Sequence, residues 1–99
     1  MSSTVFQREI CVAADHPSLP GHFPGAPLVP GVVLLEHVAL ALREWRDVRL
    51  ARVLEAKFMA PLLPDQHATL DLVDAAGGVR FEIRRDGALL ARGLIEGAP

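Results

Sequence analysis

Seventeen residues, Asp15 to Gly31, contain five prolines and three glycines. The prolines fix φ and remove backbone donors, which bars this stretch from a helix interior or a central strand. It predicts a long loop of restricted shape rather than an ordinary linker. The loop feeds straight into an apolar run, Val32 to Leu42, interrupted only by Glu36 and His37. Pro30-Gly31 suits the opening turn of a helix. The spacing predicts a helix over Val32 to Trp45 that is apolar nearly all round and so buried on most sides. In a small domain the natural cover for such a helix is a curved sheet.

The flanking segments supply that sheet. Thr4 to Ala14 mixes alternation with β-branched residues and reads as a strand. Leu50 to Phe58 is a strand candidate whose Ala, Leu and Glu content leaves helix open. Ala60 to Asp65 is a turn, and His67 to Val73 alternates. Asp74 to Gly78 is a second turn, and Val79 to Arg85 sets Val, Phe and Ile against Arg and Glu. Asp86-Gly87 is a strong hairpin signal, closed by Ala88 to Ile95. One helix followed by several antiparallel strands predicts an α+β fold, a single domain over residues 1–99. An open sheet has edges, and homodimerisation through an edge strand is the expected remedy.

Composition narrows the function classes. A net charge of −2 over 99 residues does not suggest a nucleic-acid binder. The lone Cys11 excludes an internal disulfide and is expected to be a small buried apolar residue. No charged and then apolar leader opens the chain, and the apolar run is too short and too polar to span a bilayer. A cytoplasmic protein without membrane insertion is the expectation.

The Pro/Gly loop also carries the chemistry. It holds His22 and ends at Gly31, where a helix start leaves N–H groups unpaired at the positive end of the dipole. Glu36 follows one and a half turns later inside the apolar run. Burial would favour its protonated form, and a histidine beside such an acid makes an acid–base pair. The Gly31 N–H could polarise a carbonyl, and a glycine lets a substrate approach the backbone. Taken singly, His22 reads more simply as a structural loop residue, and Glu36 as a solvated or ion-paired one.

The combination is more specific. Gly21-His22-Phe23-Pro24-Gly25, Pro27, Pro30-Gly31-Val32 and Glu36 together resemble the signature of the FabZ-type and FabA-type 3-hydroxyacyl-acyl-carrier-protein dehydratases. The fourteen-residue step from His22 to Glu36 matches the FabZ spacing. Lys57-Phe58, Pro61 to Asp65 and the hairpin around Asp86-Gly87 are similar to that family's later strands. Leu40 stands where FabZ proteins usually carry Gln, and the segment before the first strand is short. The run from Pro27 to His37 is closest to the small ApeI-like dehydratases of aryl-polyene clusters.

The resemblance implies a hotdog fold, an antiparallel sheet wrapped around one long helix. It implies dehydration of 3-hydroxyacyl thioesters to trans-2-enoyl thioesters, in fatty acid, aryl polyene or related polyketide-like biosynthesis. His22 would be the base at C2, Glu36 would act on the C3 hydroxyl, and Gly31 would hold the thioester carbonyl. Phe23, Pro24, Gly25 and Pro30 would shape the substrate loop. Neither a metal nor an organic cofactor is implied; the substrate rides on the phosphopantetheine of an acyl carrier protein. His22 and Glu36 would meet across a dimer interface, with heterodimers and larger assemblies left open. A hotdog thioesterase and a non-catalytic partner subunit remain the competing readings.

Other residues read more plainly. His37 is expected to pack or lie at an interface, His16 to shape the loop, and His67 to face solvent from a strand. The spacing of His22, Glu36 and His37 fits no standard zinc pattern. Trp45 is expected to anchor the core or an interface. Arg43, Arg46, Arg49 and Arg52 form either a charge-paired face or a dock for an acidic carrier protein and its phosphate.

Overall fold

The computed structural model describes residues 5–13 and 28–99. Its elements are β1 (Phe6–Cys11), α1 (Gly31–Arg46), β2 (Arg49–Phe58), β3 (His67–Ala75), β4 (Gly78–Arg85) and β5 (Ala88–Ala98). The five strands form one sheet in the order β1-β3-β4-β5-β2, antiparallel at every pairing. One helix laid on such a sheet is the expected α+β hotdog arrangement. β1 and β2 are its two edges.

Alternation decides which side of each strand meets the helix. Ala68, Leu70 and Leu72 of β3, Val79, Phe81 and Ile83 of β4, and Ala91 and Ile95 of β5 are buried. The register sets Leu70 opposite Ile83 and Leu72 opposite Phe81, so inward side chains form continuous rows. Gly93 extends the Leu72–Phe81 row, and a Cβ there would lie 2.2 Å from the Glu55 carbonyl and 2.4 Å from the Phe81 ring. Only glycine lets the sheet close over that ring. Asp86 and Gly87 both adopt positive φ, 50° and 80°, as a two-residue hairpin of the expected kind requires. In β1 the outward positions are Gln7, Glu9 and Cys11, so Cys11 is exposed rather than buried.

The helix departs from the expectation that it is buried on most sides. Val33, Leu34, Val38, Ala41 and Leu42 are buried against the sheet. Val32 and Leu40 remain 60% and 59% exposed, with exposed Glu36 midway between them. Positions spaced by four residues share one face, and a single sheet covers only the opposite one. The helix ends at Asp47, whose N–H donates to the Arg43 carbonyl at 2.8 Å from a left-handed conformation. Arg43 and Arg46 in the last turn suit the negative end of the dipole. No described helix is long and apolar enough to cross a membrane.

Trp45 leaves the helix as a half-buried anchor, stacked on Phe6 with ring centroids 6.2 Å apart. The Arg46 guanidinium lies 3.8 Å from the Trp45 ring centroid on one side and bonds Asp74 at 2.6 Å. These contacts tie the helix end to both β1 and β3.

Candidate functional site

The last residues of the Pro-rich segment are held by backbone bonds. The Val29 N–H donates to the Leu62 carbonyl at 2.9 Å. Val33 and Leu34 donate to the Pro30 carbonyl at 3.0 and 3.3 Å, which starts the helix at Gly31. The Gly31 N–H, in the first turn, has no intrahelical acceptor. The ring of Phe58 presses on this glycine; a Cβ at residue 31 would stand 2.9 Å from the Phe58 Cζ. Pro30, Gly31, Leu34, Phe58, Met59 and Pro61 line an apolar cavity of about 210 Å³ there.

Further along the helix, a second cavity of about 560 Å³ is lined by Glu36, Ala39, Leu40, Arg43, Arg49 and Leu50. The end of β2 therefore lies at the helix start, and the beginning of β2 lies beside its second half. The strand runs antiparallel to the helix, with the first cavity near the helix start and the second forming the groove that holds Glu36. Among the described residues, Glu36 makes no hydrogen bond or ion pair. Glu36 is exposed rather than buried as its apolar run predicts, because the sheet covers only the opposite face of the helix.

Of the residues that the sequence nominates, Pro30 and Gly31 line the first cavity and Glu36 lines the second. His22, Phe23, Pro24 and Gly25 lie outside the described residues, as does His16. His37 is half-buried. His67 is exposed on β3, with its Nδ1 3.3 Å from Glu9 across the β1 pairing. The four clustered arginines separate into two kinds. Arg46 is engaged with Asp74 and Trp45, and Arg52 bonds Glu96 at 2.8 Å. Arg43 and Arg49 line the Glu36 cavity instead. Sequence reasoning did not foresee Phe58 against Gly31. No local signal could reveal it, because the contact joins residues 27 positions apart.

The family model of the ApeI-like dehydratases matches residues 2–94. The chain is 37% identical over 94 residues to the 3-hydroxyacyl-(acyl-carrier-protein) dehydratase FabZ of Chlamydia trachomatis serovar L2, covering 80% of this chain and 60% of that protein. It thus spans about 60% of the length of the curated relatives it matches first. Its structure is similar to the dehydratase heterocomplex ApeI:P from Xenorhabdus doucetiae, with a TM-score of 0.84 and 20% identity. That match covers 99% of this chain and 90% of the other. An uncharacterised protein of Erwinia carotovora subsp. atroseptica matches with a TM-score of 0.78 and 27% identity, covering 100% of this chain and 88% of that one. With its signature residues, its hotdog architecture and a family match over nearly its whole length, the chain belongs to the ApeI-like dehydratases.

Proposed function

We propose that this protein is a cytoplasmic dehydratase that converts 3-hydroxyacyl thioesters, carried on an acyl carrier protein, to trans-2-enoyl thioesters. The observation that carries this is Glu36, a carboxylate without a side-chain hydrogen bond or ion pair among the described residues, lining the groove between helix and strand one and a half turns from the Gly31 N–H. Kinship to FabZ proteins supports it. In this reading the Gly31 N–H hydrogen-bonds the thioester carbonyl and stabilises enolate charge at the positive helix end. His22 takes the proton from C2. Glu36 delivers a proton to the C3 oxygen, the C–O bond breaks, and water leaves as the C2–C3 double bond forms. The thioester itself acidifies C2, so neither metal nor organic cofactor enters the scheme. Phe23, Pro24, Gly25 and Pro30 shape the loop that presents His22.

The test is hydration of crotonyl-N-acetylcysteamine, the reverse reaction, followed by loss of enoyl absorbance. Turnover is expected; acyl release without hydration would instead identify a thioesterase.

The reading needs a partner surface. Val32, Glu36 and Leu40 are exposed on one helix face, and edge strand β2 exposes Val53, Leu54 and Phe58. An apolar edge of this kind invites pairing with another chain. A second copy placed there would bury Glu36 and bring its own His22 loop to it, giving shared sites across a homodimer. Light scattering after size exclusion is expected to give a dimer or a multiple of it; monomer alone would count against the shared site. The ApeI:P structure favours a second arrangement, in which the cover is a different dehydratase-like chain. Stable one-to-one co-purification with such a chain would establish it, and this subunit's Glu36 would then serve a mixed site.

Gly31 offers a separate check. In Gly31→Ala the new methyl meets the far end of a half-exposed Phe58 ring, which can turn aside. The thioester carbonyl then sits further from the N–H. Turnover is expected to fall about 10- to 100-fold, with the thermal midpoint nearly unchanged. Pairing the change with Phe58→Leu should recover part of the loss.

A further inference from the structure

The groove that carries Glu36 also presents two cations that no described residue neutralises. Arg43 and Arg49 line the Glu36 cavity. Neither makes an ion pair or side-chain hydrogen bond among the described residues. Three nearby acids are committed elsewhere, Glu44 to Arg8, Asp74 to Arg46 and Glu96 to Arg52, and Asp47, between the two arginines in sequence, forms an ion pair with neither of them. Glu36 itself pairs with neither arginine. Seven residues separate Glu36 from Arg43, a rise of about 10 Å with a rotation that returns to within about 20° of the same face. Leu40, Ala39 and Leu50 form the apolar wall between them.

We propose that Arg43 and Arg49 form a subsite for an anionic group on the substrate, about two helical turns beyond Glu36. The inference rests on the dehydratase reading and names a substrate feature within it. With the thioester carbonyl at Gly31 and C3 at Glu36, the path onward to Arg43 leads away from sulfur, along the acyl chain. A carboxylate at the far end of that chain would meet two guanidinium groups, whose planar donor forks suit it. A plain alkyl end of equal length would desolvate both cations without replacing their water, so the subsite discriminates as well as binds. A phosphate on the carrier arm has the same chemistry, should the arm rather than the acyl chain reach this end.

The experiment compares wild type with R43Q/R49Q on two matched pairs of enoyl thioesters. One pair is N-acetylcysteamine thioesters of equal length, ending in a carboxylate or a methyl group. The other is crotonyl-4′-phosphopantetheine against crotonyl-N-acetylcysteamine. The readout is the ratio of kcat/KM within each pair. The double variant is expected to lower the carboxylate-over-methyl ratio on the order of 10- to 100-fold, as loss of hydrogen bonds to a charged group does. A fall in the phosphopantetheine ratio alone also supports the anion subsite and makes the carrier arm its source. Two unchanged ratios, with wild type active, overturn the subsite and leave the dehydratase reading standing. Absence of wild-type turnover on every thioester overturns both.

Discussion

Glu36→Gln is expected to lower hydration of crotonyl thioester by about 10²- to 10⁴-fold, the span that a positioned proton donor contributes. The substitution keeps shape and removes the titrating proton. It should leave the fold of the subunit untouched, because the Glu36 side chain is exposed in the single chain and makes no hydrogen bond or ion pair among the described residues. Exposed substitutions of that kind change stability by about 0.5 kcal/mol or less. The thermal midpoint and the elution volume should therefore match wild type while turnover collapses. His22→Ala should give a loss of the same order. The double variant should be little worse than the poorer single one, since groups that act as a unit are not additive. Wild-type-like turnover in either single variant would sink the acid–base assignment. A loss of dimer in Glu36→Gln would mean that the residue serves assembly instead.

Phe81→Ala is expected to cost about 3–5 kcal/mol. Phe81 has no exposed surface and sits mid-strand in β4, between Leu72 and Gly93 in its row. Truncation removes the ring that Gly93 exists to accommodate, and backbone on both sides prevents the hole from closing. Whole domains are stable by about 5–15 kcal/mol, so this single change consumes a large share. Urea unfolding should show a lower midpoint with an unchanged slope. Should Phe81→Ala not accumulate as folded protein, Phe81→Leu keeps most of the volume and should still be measurably weaker. A loss below about 1 kcal/mol for the alanine variant would place the core centre elsewhere.

Much of the architecture is written in local pattern. The alternation in 67–73 and 79–85 encodes strands with one apolar side, and Asp86-Gly87 encodes their hairpin. Pro30-Gly31 ahead of an apolar run encodes the helix start. The His22-to-Glu36 spacing with its prolines and glycines carries the family. These features survive translation from sequence because a period of two, a fixed φ or a left-handed turn involves only near neighbours.

The open face of the helix was not legible in this way. The run Val32 to Leu42 is almost uniformly apolar, so nothing local marks Val32 and Leu40 as the residues left uncovered. That depends on β2 pairing with β5, with Arg49 opposite Ala98 and Phe58 opposite Ala91, which lays β2 along one flank of the helix. The same pairing puts Phe58 on Gly31 and Arg49 beside Glu36. It also separates four arginines that look equivalent in the sequence, placing two in ion pairs and two in the groove. Periodicity records which residues share a face of one element. Which face meets which neighbour is settled only when strands some 40 residues apart find their register, and that register builds the groove around Glu36.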